Sequence, residues 1–156
     1  MNKALRTLRV KATSEPGKNK IKRIEFDGFP PAIRVGVHTG FCEFFGMIPE
    51  EPLPSTLDLV VAAVVGCLTG TLSGALEKRG ISASPQNLQA EAEGQLENID
   101  GKLILTAVSV KYRLKVPKEK RETVERVLQV HDSACPVSAS VRRGITVQWS
   151  ADVEEE

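Results

Sequence analysis

The sequence is poor in the residues that usually mark nucleic-acid binding. Only seven of its 156 residues are aromatic, and 21 Lys and Arg residues are nearly balanced by 20 Asp and Glu residues. A net charge of +1 without a long basic run argues against a nucleic-acid partner. The longest uncharged apolar run, residues 59–68, is about half as long as a membrane span, so we expect no membrane partner either.

Metal and phosphate motifs are also missing. His38 and His131 are the only histidines, and we expect neither to hold zinc. His131 falls on the apolar face of a predicted helix, which favours a packed core residue over a ligand or base. The sequence has no phosphate-binding glycine loop, no Gly-x-Ser-x-Gly elbow and no Cys-x-x-Cys motif. We therefore expect no metal and no organic cofactor, which leaves a thiol as the only nucleophile that its context supports.

The chain has three cysteines, Cys42, Cys67 and Cys135. Its first six residues, MNKALR, lack the apolar stretch that a secretory signal needs. Cysteines in a chain without an export signal are usually reduced. We therefore expect a cytoplasmic protein with free thiols rather than a disulfide framework.

The N-terminal third predicts three strands, because apolar and polar residues alternate in residues 8–13, 24–26 and 33–38. Residues 39–54 then predict a long loop that is unusually apolar. Its aromatics, Phe41, Phe44 and Phe45, either pack on a partner subunit or form the wall of a substrate pocket. Both interpretations stay open at this point.

A long helix is predicted over residues 56–79. Ser55 can cap its N-terminus, Asp58 stands where the acid of a capping box belongs, and Gly80 ends it. Gly66, Gly70 and Gly74 recur at every fourth position and would lie on one face. Because each glycine costs a helix about 1 kcal/mol relative to alanine, the row predicts that another backbone or helix approaches closely.

The second half predicts a strand near residues 88–92, a hairpin turn at Asp100-Gly101 and a long strand over residues 108–116. Helical spacing follows in residues 119–131, then a short helix after Cys135 and a last strand over residues 145–153. Segregated strands and helices are typical of the α+β class. No repeat or linker divides the chain, so we expect one domain over residues 1–156.

Two of the cysteines lie in contrasting surroundings. Cys67 is inside the apolar helix, where a thiol is usually a small core residue. Cys135 directly precedes Pro136 at a predicted helix start, where free N–H groups and the helix dipole favour a thiolate. A dithiol that reduces peroxides also needs a cation, and Arg34 and Arg23 on the predicted strands are the candidates.

Four segments resemble the OsmC/Ohr family of osmotically induced proteins and organic hydroperoxide resistance enzymes. They are PSTLDL at 54–59, AAVVGCL at 62–68, EGQL at 93–96 and CPV at 135–137. The resemblance covers about residues 11–147. It implies an intertwined α+β homodimer with two active sites at the subunit interface.

The resemblance also implies the chemistry. Family members reduce organic hydroperoxides with a dithiol reductant, often a lipoylated protein. The first cysteine is peroxidatic and the Cys-Pro cysteine resolves it, which would make Cys67 the peroxidatic cysteine and Cys135 the resolving one. The helix-dipole argument alone would have favoured Cys135 as the nucleophile.

The chain departs from the family pattern at one position. Typical Ohr proteins have a glutamate ten residues before the first cysteine, and it pairs with the arginine. Leu57 stands there in this chain, with Asp58 one residue later. One helix position rotates a side chain by about 100°, so we interpret Asp58 as the capping acid. Cys42 has no counterpart in the family pattern and is interpreted as an incidental buried thiol.

Two functions remain open from the sequence. The first is a thiol-dependent peroxidase that acts on organic or lipid hydroperoxides, with Cys67, Cys135 and Arg34 as the catalytic residues. The second is a non-enzymatic OsmC-like dimer that binds a small apolar ligand or senses oxidants. The presence of both cysteines favours the peroxidase.

Overall fold

A computed structural model describes residues 5–145, 147, 148 and 150 of the chain. The chain divides into two compact units, Met1–Val60 and Val61–Glu156, and the boundary falls inside a long helix. Each unit has buried apolar residues of its own. The single domain over residues 1–156 stays a prediction.

The first unit contains a three-stranded antiparallel sheet. Its strands are β1 (Val10–Glu15), β2 (Lys18–Phe26) and β3 (Phe29–Val35), in that spatial order. Ile21 and Val35 are its buried side chains, whereas β1 is exposed along most of its length. The three predicted strands are therefore confirmed. The first begins at Val10 rather than at residue 8, and the third ends at Val35 rather than at residue 38.

The segment of residues 39–54 is not one long loop, which corrects the prediction. It begins with helix α1 (Thr39–Phe45), in which Phe41 and Cys42 are buried. Gly46 ends the helix in the left-handed conformation, with φ at 60°, and its N–H bonds the carbonyl of Cys42. The buried pair gives this short segment an inner face, and the glycine stops it, so the apolar residues fold locally instead of forming an extended loop.

Helix α2 (Thr56–Glu77) begins as the sequence predicts. The hydroxyl of Ser55 accepts the N–H of Asp58 at 3.2 Å, and the Asp58 carboxylate accepts the Ser55 N–H at 2.7 Å. This reciprocal pair is a capping box. At the other end Gly80 has φ at 68°, and the N–H of Ile81 bonds the carbonyl of Leu76 at 3.1 Å. The helix therefore ends two residues before the predicted limit, in a glycine-closed turn.

Helix α2 is strongly apolar, but its own chain buries only a small part of its surface. By length and composition it could cross a membrane, with a mean hydropathy of 2.0, and the core helix of a soluble protein has the same character. Only 22% of an apolar 18-residue stretch of this helix is buried within the chain. Beyond the backbone of the helix itself and the adjacent residues, a Cβ added at Gly66, Gly70 or Gly74 would meet no atom within 4 Å among the described residues. The close neighbour that the glycine row predicts is therefore not in the described part of this chain.

The second unit contains a long antiparallel ribbon. Strand β4 (Leu88–Ile99) pairs with β5 (Lys102–Leu114) through a tight turn at Asp100 and Gly101, both with positive φ. Gly94 on β4 marks a close approach, because a Cβ there would lie 2.6 Å from a methyl carbon of Val61 on α2. The predicted hairpin is confirmed, and a side chain at Gly94 would collide with the helix.

Two further helices complete the second unit. Helix α3 (Arg121–Val130) lies between two short 3-10 turns, Lys118–Lys120 and His131–Ala134, and helix α4 is Pro136–Arg143. Both helices occur where the sequence predicts them. The predicted final strand is not observed at Ile145 and Val147, which have no regular structure, and its remaining apolar residues lie outside the described residues.

The second unit has two apolar clusters. The larger joins the end of α2 to α3, and its buried members are Leu72, Leu76, Ile81, Leu88, Val124 and Val127. The smaller is formed by Val64, Leu68 and Cys135, with Cys67 and Val137 packed against it. Tyr112 on β5 packs against both clusters. Cys67 and Cys135 thus lie in the same unit, at one apolar cluster.

Candidate active site

The structure brings together two cysteines that are far apart in the sequence. Cys67 lies in the middle of α2, and Cys135 lies at the start of α4. Cys135 is completely buried, with 0% of its surface exposed, whereas Cys67 is partly exposed. Both are free thiols, Cys67 packs against the cluster that contains Cys135, and each thiol shifts the pKa of the other. The juxtaposition that a dithiol cycle needs is therefore present in the reduced chain.

Cys135 occupies the N-cap position of α4. Its backbone is extended, Pro136 follows as the first helical residue, and the Cys135 sulfur accepts the N–H of Ser138 at 3.5 Å. Proline at this position loses no hydrogen bond, because the first N–H groups of a helix have no partner within the helix. The Cys-Pro pair thus places a sulfur atom where a helix offers unpaired donors.

The surroundings of Cys135 favour its thiolate. Burial by itself raises the pKa of a thiol, because it penalises the charged form. Here donors outweigh that penalty: the N–H groups of Ser138 and Val137 and the thiol of Cys67 bond the Cys135 sulfur, with the hydroxyl of Thr71 beside it. The pKa of Cys135 is therefore lowered below its usual value, as the helix-start argument predicts.

The surroundings of Cys67 favour its protonated form. Burial raises the pKa of the Cys67 thiol, and the hydrogen bond that it donates to Cys135 raises the pKa further. The N–H of Val137 and the Thr71 hydroxyl act in the opposite direction without cancelling these effects. The surroundings of the dithiol thus favour ionisation of the buried Cys135 over ionisation of the more accessible Cys67.

Thr71 is a member of the site that the sequence analysis missed. It lies one helical turn after Cys67, and its hydroxyl donates to the Cys67 carbonyl at 2.9 Å. The same hydroxyl lies beside both sulfur atoms. A spacing of four residues puts two side chains on the same helix face, so a hydroxyl at this distance from a helical cysteine was a detectable signal.

A cavity of about 440 Å³ lies beside the dithiol in the second unit. Val64 and Leu68 belong both to the cysteine cluster and to the cavity wall. The rest of the wall is formed by Leu105, Thr106, Ala107, Val108, Ser138, Val141 and Arg142. Neither cysteine lines this cavity. Its largely apolar wall fits an alkyl or aryl group better than a small polar molecule.

Arg34 belongs to the first unit, on β3, where two carboxylates hold it. Its guanidinium donates to Glu15 at 2.8 and 3.0 Å and to Glu51 at 2.8 Å through two nitrogens. Lys18 also bonds Glu51, at 3.0 Å. Hydrogen bonds from Arg34 and then Lys18 lower the pKa of Glu51 to about 2. This arginine is therefore fixed in one orientation by charge-assisted bonds.

The carboxylate partners of Arg34 were not found from the sequence. The family pattern indicates the position of Leu57, with Asp58 next to it, as the place where typical Ohr proteins have the glutamate. Glu51 lies six positions before Leu57, and Glu15 lies on a different strand. Only pairing across the sheet and folding of residues 46–54 bring these acids to the guanidinium, and spacing along the chain does not show that.

Arg23 is the direct cross-strand neighbour of Arg34 on β2. It is exposed, and among the described residues it forms no ion pair within 4.0 Å. Two arginines with the same charge thus lie opposite each other, but only Arg34 has a fixed guanidinium. The two candidates are therefore distinguishable by experiment.

Asp58 is the capping acid of α2, as the sequence analysis interprets it. Its carboxylate also accepts the Ser55 hydroxyl at 2.6 Å and contacts His38 Nε2 at 3.1 Å. Burial raises the pKa of Asp58, but the hydrogen bonds from Ser55 and His38 outweigh it, so the pKa is lowered. Asp58 thus has a structural role in which one carboxylate oxygen, Oδ2, accepts from Ser55 and contacts His38.

The remaining thiol, Cys42, is buried in α1. It belongs to the first unit, and its interpretation as an incidental thiol stays a prediction. Within the described part of the chain, no group of three or more His, Cys, Asp or Glu residues could hold a metal ion.

Comparisons with known proteins agree with this geometry. A family model described as "OsmC-like protein" matches residues 49–150, which include both cysteines. Among curated proteins, the peroxiredoxin OsmC of Escherichia coli (strain K12) is 27% identical over 114 residues, covering 73% of each chain. These matches agree with the resemblance found in the sequence.

Solved structures share the fold. An OsmC-like protein of unknown function from Vibrio cholerae has a TM-score of 0.69 at 15% identity, covering 86% of this chain and 93% of that chain. The organic hydroperoxide resistance protein OhrB of Bacillus subtilis has a TM-score of 0.56 at 18% identity, covering 89% and 93%. The predicted α+β class and the OsmC/Ohr fold are therefore confirmed.

Proposed function

The chain belongs to the OsmC-like family, and on that premise we propose that it is a thiol-dependent peroxidase that reduces organic hydroperoxides. The observation that carries the proposal is that Cys67, which is partly exposed, packs in one apolar cluster with Cys135, which is fully buried. Oxidation of the accessible thiol leaves a second thiol next to the sulfenic acid. That is the arrangement a dithiol–disulfide cycle requires.

The opposite pKa shifts of the two thiols suggest how the first step begins. Where Cys135 is ionised, Cys67 passes its proton to the Cys135 thiolate, which leaves Cys67 as the thiolate. This thiolate attacks one oxygen of the hydroperoxide, the O–O bond breaks, and the departing alkoxide takes a proton to become an alcohol. Cys67 is then a sulfenic acid. Transfer of charge from the buried sulfur to the accessible one reconciles the helix-start argument with the family assignment of Cys67 as nucleophile.

The second step closes the disulfide. Cys135 loses its proton and attacks the Cys67 sulfenic sulfur, forming the S–S bond and expelling hydroxide, which is protonated to water. The sum is two thiols plus one hydroperoxide giving a disulfide, an alcohol and water. A dithiol reductant, such as a lipoyl group on a protein, then returns the pair to the reduced state by thiol–disulfide exchange. The proposed setting is a reducing cytoplasm, in keeping with three free thiols.

The cavity beside the cysteine cluster supports a bulky substrate. Each buried methylene contributes about 0.8 kcal/mol, so an alkyl or aryl tail in an apolar cavity gains several kcal/mol that hydrogen peroxide cannot gain. We expect cumene hydroperoxide to be reduced much faster than hydrogen peroxide. Equal rates with the two peroxides would contradict the role of the cavity.

The deciding experiment measures thiol consumption with cumene hydroperoxide and dihydrolipoamide. The wild type should turn over repeatedly, and Cys67→Ser should show only the uncatalysed rate. Cys42→Ser is the matched control, because it removes a buried thiol of the other unit, and it should retain turnover. Full activity in Cys67→Ser would refute the assignment. A wild type that never turns over would favour the non-enzymatic ligand-binding alternative.

Arg34 is the proposed cation of the site, because two carboxylates fix its guanidinium and it stays charged. Arg34→Met should lower the rate constant for peroxide reduction at least tenfold. Arg23→Met removes the same charge from the opposite strand position and should change the rate less than twofold. The reverse pattern would transfer the role to Arg23.

A homodimer is the proposed assembly. Support comes from α2, which is apolar yet mostly unburied within its own chain, and from the open glycine row. A second copy would cover these surfaces, which a small monomer rarely leaves exposed. Analytical ultracentrifugation should give twice the 17.0 kDa chain mass at micromolar concentration. A monomer that persists at all concentrations would contradict the proposal.

A further inference from the structure

The cavity beside the dithiol has one charged side chain in its wall. That residue is Arg142, on the last turn of α4, and the other wall residues are apolar or carry a hydroxyl. Within the described part of the chain, no acidic residue lines this cavity. An apolar space with a single cation fits a ligand that has an apolar body and one negative charge.

The same cavity reaches the surroundings of the buried sulfur. Ser138 is buried and lines the cavity, and its N–H bonds the Cys135 sulfur at 3.5 Å. Arg142 follows four positions later, so the two residues lie on one face of α4, about 6 Å apart along the helix axis. Because 70% of its side-chain surface is exposed, Arg142 lies at the open side of the cavity. One wall thus connects the neighbourhood of Cys135 to a cation.

Asp132 holds the guanidinium of Arg142 without using all of its donors. Nη2 of Arg142 donates to the Asp132 carboxylate at 2.9 Å. A guanidinium has five N–H donors, so this bond leaves others for a ligand. Asp132 lies in the 3-10 turn His131–Ala134 and does not line the cavity. It therefore orients the arginine and is not itself part of the cavity wall.

The charge at this end of α4 is positive even when Asp132 is counted. Arg143, the next residue, is also in the last turn of the helix, but it is exposed and does not line the cavity. Two arginines against one aspartate leave a net positive charge. The planar fork of Arg142 matches a carboxylate better than a point charge would.

Both arginines also have a structural explanation. Cations in the last turn of a helix interact favourably with its dipole, and Arg143 is placed to do this as well as Arg142. The dipole explains a basic residue at the end of α4, but it does not explain a charge in the wall of an apolar cavity. Arg143 is therefore the matched control for Arg142.

We propose that Arg142 is a specificity-determining residue that binds a carboxylate of the substrate, so that hydroperoxides of free fatty acids are preferred over uncharged hydroperoxides with the same chain. The inference rests on the proposed function and deepens it by naming the polar group that the apolar tail carries. The alkyl chain packs against wall residues such as Val64 and Leu68, and the carboxylate accepts from the Arg142 guanidinium. The peroxide chemistry at Cys67 is unchanged.

The carboxylate preference can be measured without any peroxide. Decanoic acid and decanol have the same alkyl chain, and only the acid is charged near neutral pH. Isothermal titration calorimetry on the reduced wild type should show about fivefold tighter binding of the acid. Added salt should weaken binding of the acid and not of the alcohol. Equal dissociation constants, or no binding of either compound, would overturn the proposal.

Two methionine variants locate the charge that matters. Arg142→Met keeps a long apolar side chain and removes the charge, so the acid and the alcohol should bind within about twofold of each other. Arg143→Met removes the same charge one position away and should keep the wild-type preference. A preference that survives in Arg142→Met, or that is lost in Arg143→Met, would overturn the assignment to Arg142.

Two further variants protect the test against a folding failure. Arg142→Lys keeps the charge without the planar fork, so its preference should lie between those of the wild type and Arg142→Met. Asp132→Asn keeps an acceptor for Arg142 and removes the competing charge, so its preference for the acid should rise. A fall in either direction below Arg142→Met counts against the proposal. A variant that does not fold binds neither compound and is recognised by circular dichroism.

Turnover should follow binding. In the wild type, kcat/KM for the hydroperoxide of linoleic acid should exceed that for its methyl ester about fivefold, mainly through KM, because the carboxylate lies away from the reacting oxygens. In Arg142→Met the two values should be nearly equal. A difference confined to kcat would contradict a role in binding.

The outcomes for this proposal and for the peroxidase are separable. A wild type that prefers decanoic acid to decanol but reduces neither hydroperoxide refutes the peroxidase and retains Arg142 as a carboxylate-binding residue. Turnover with equal kcat/KM for the acid and the ester refutes the role of Arg142 and retains the peroxidase.

Discussion

Two helix N-termini in this chain use the same geometry with different chemistry. At the start of α2, the Ser55 hydroxyl accepts the N–H of Asp58 at 3.2 Å. At the start of α4, the Cys135 sulfur accepts the N–H of Ser138 at 3.5 Å. Each cap thus bonds the residue three positions on, and one atom, oxygen or sulfur, distinguishes them.

The difference shows what each cap contributes. The α2 cap is closed by a second bond, from the Ser55 N–H to the Asp58 carboxylate, and such boxes stabilise a helix. The α4 cap has a thiol, which is a weak acceptor while protonated. Once ionised, the same sulfur gains from the free N–H groups and the helix dipole. One N-terminus therefore stabilises the fold, and the other stabilises a thiolate.

The largest expected effect comes from making the two caps alike. Cys135→Ser gives α4 the cap atom of α2, so the free energy of unfolding should stay within about 1 kcal/mol of the wild-type value. Catalysis should fail, because the Cys67 sulfenic acid has no partner. The variant should consume about one hydroperoxide per site and then stall or over-oxidise. Peroxide consumption is the measurement. Sustained consumption by Cys135→Ser would contradict the role of Cys135 as the resolving thiol.

The next effect concerns which sulfur is charged. The lowered pKa of Cys135 predicts that its thiolate forms at lower pH than the thiolate of an unperturbed cysteine. Thiolate absorbance near 240 nm should therefore appear at lower pH in the wild type and in Cys67→Ser, where a hydroxyl can still donate to Cys135. It should shift to higher pH in Cys135→Ser. A low-pH thiolate that survives the loss of Cys135 would assign the charge to another cysteine.

A smaller effect is expected at the oxygen cap. Ser55→Ala removes the acceptor of the Asp58 N–H, and loss of such a cap costs about 1 kcal/mol. Denaturant unfolding should show that loss. Because Ser55 contributes to the helix and not to the thiols, the 240 nm titration should not move. A shift in that titration would show that the two caps are not independent.

The smallest effect is the pH dependence of the α2 cap. The folded-state pKa of Asp58 is lowered, so its contribution is present above the unfolded value of 3.8 and is lost as the pH falls through the folded value. Wild-type stability should decrease below about pH 4, and Asp58→Asn should show a flatter profile there. Identical acid-unfolding profiles for the wild type and Asp58→Asn would show that the Asp58 carboxylate does not contribute to the stability of the cap.

The elements that the sequence predicted best are those with local signals. Ser55 and Asp58 predict the start of α2, Gly80 predicts its end, and Asp100-Gly101 predicts the hairpin turn. In each case the bonds that form lie within a few residues of each other, so the chain needs no distant partner. Helix α1 was missed because its residues were judged by their hydrophobicity alone, and the left-handed Gly46 that ends it was not considered.

The residues of the candidate site also fall into those that a local signal predicts and those that depend on tertiary contacts. The Cys-Pro signal at residues 135–136 was sufficient to predict an ionisable sulfur at a helix start, and the structure agrees. The glutamates that hold Arg34 come from another strand and from the segment after α1, so their spacing carried no signal. The helix face of His131 predicts a core residue, and its contact with Tyr112 on β5, with the hydroxyl 3.0 Å from Nε2, depends on tertiary packing.

By itself, the sequence determined the capped helix, the hairpin and the two kinds of cysteine, because capping boxes, glycine turns and helix-start donors act over three or four residues. Only the tertiary structure decided that Cys67 and Cys135 pack together. The two residues lie 68 positions apart, and packing of the cluster around Val64 and Leu68 joins them. The tertiary structure also decides which of the two thiols ionises more readily, because that depends on burial and on donors from two helices at once.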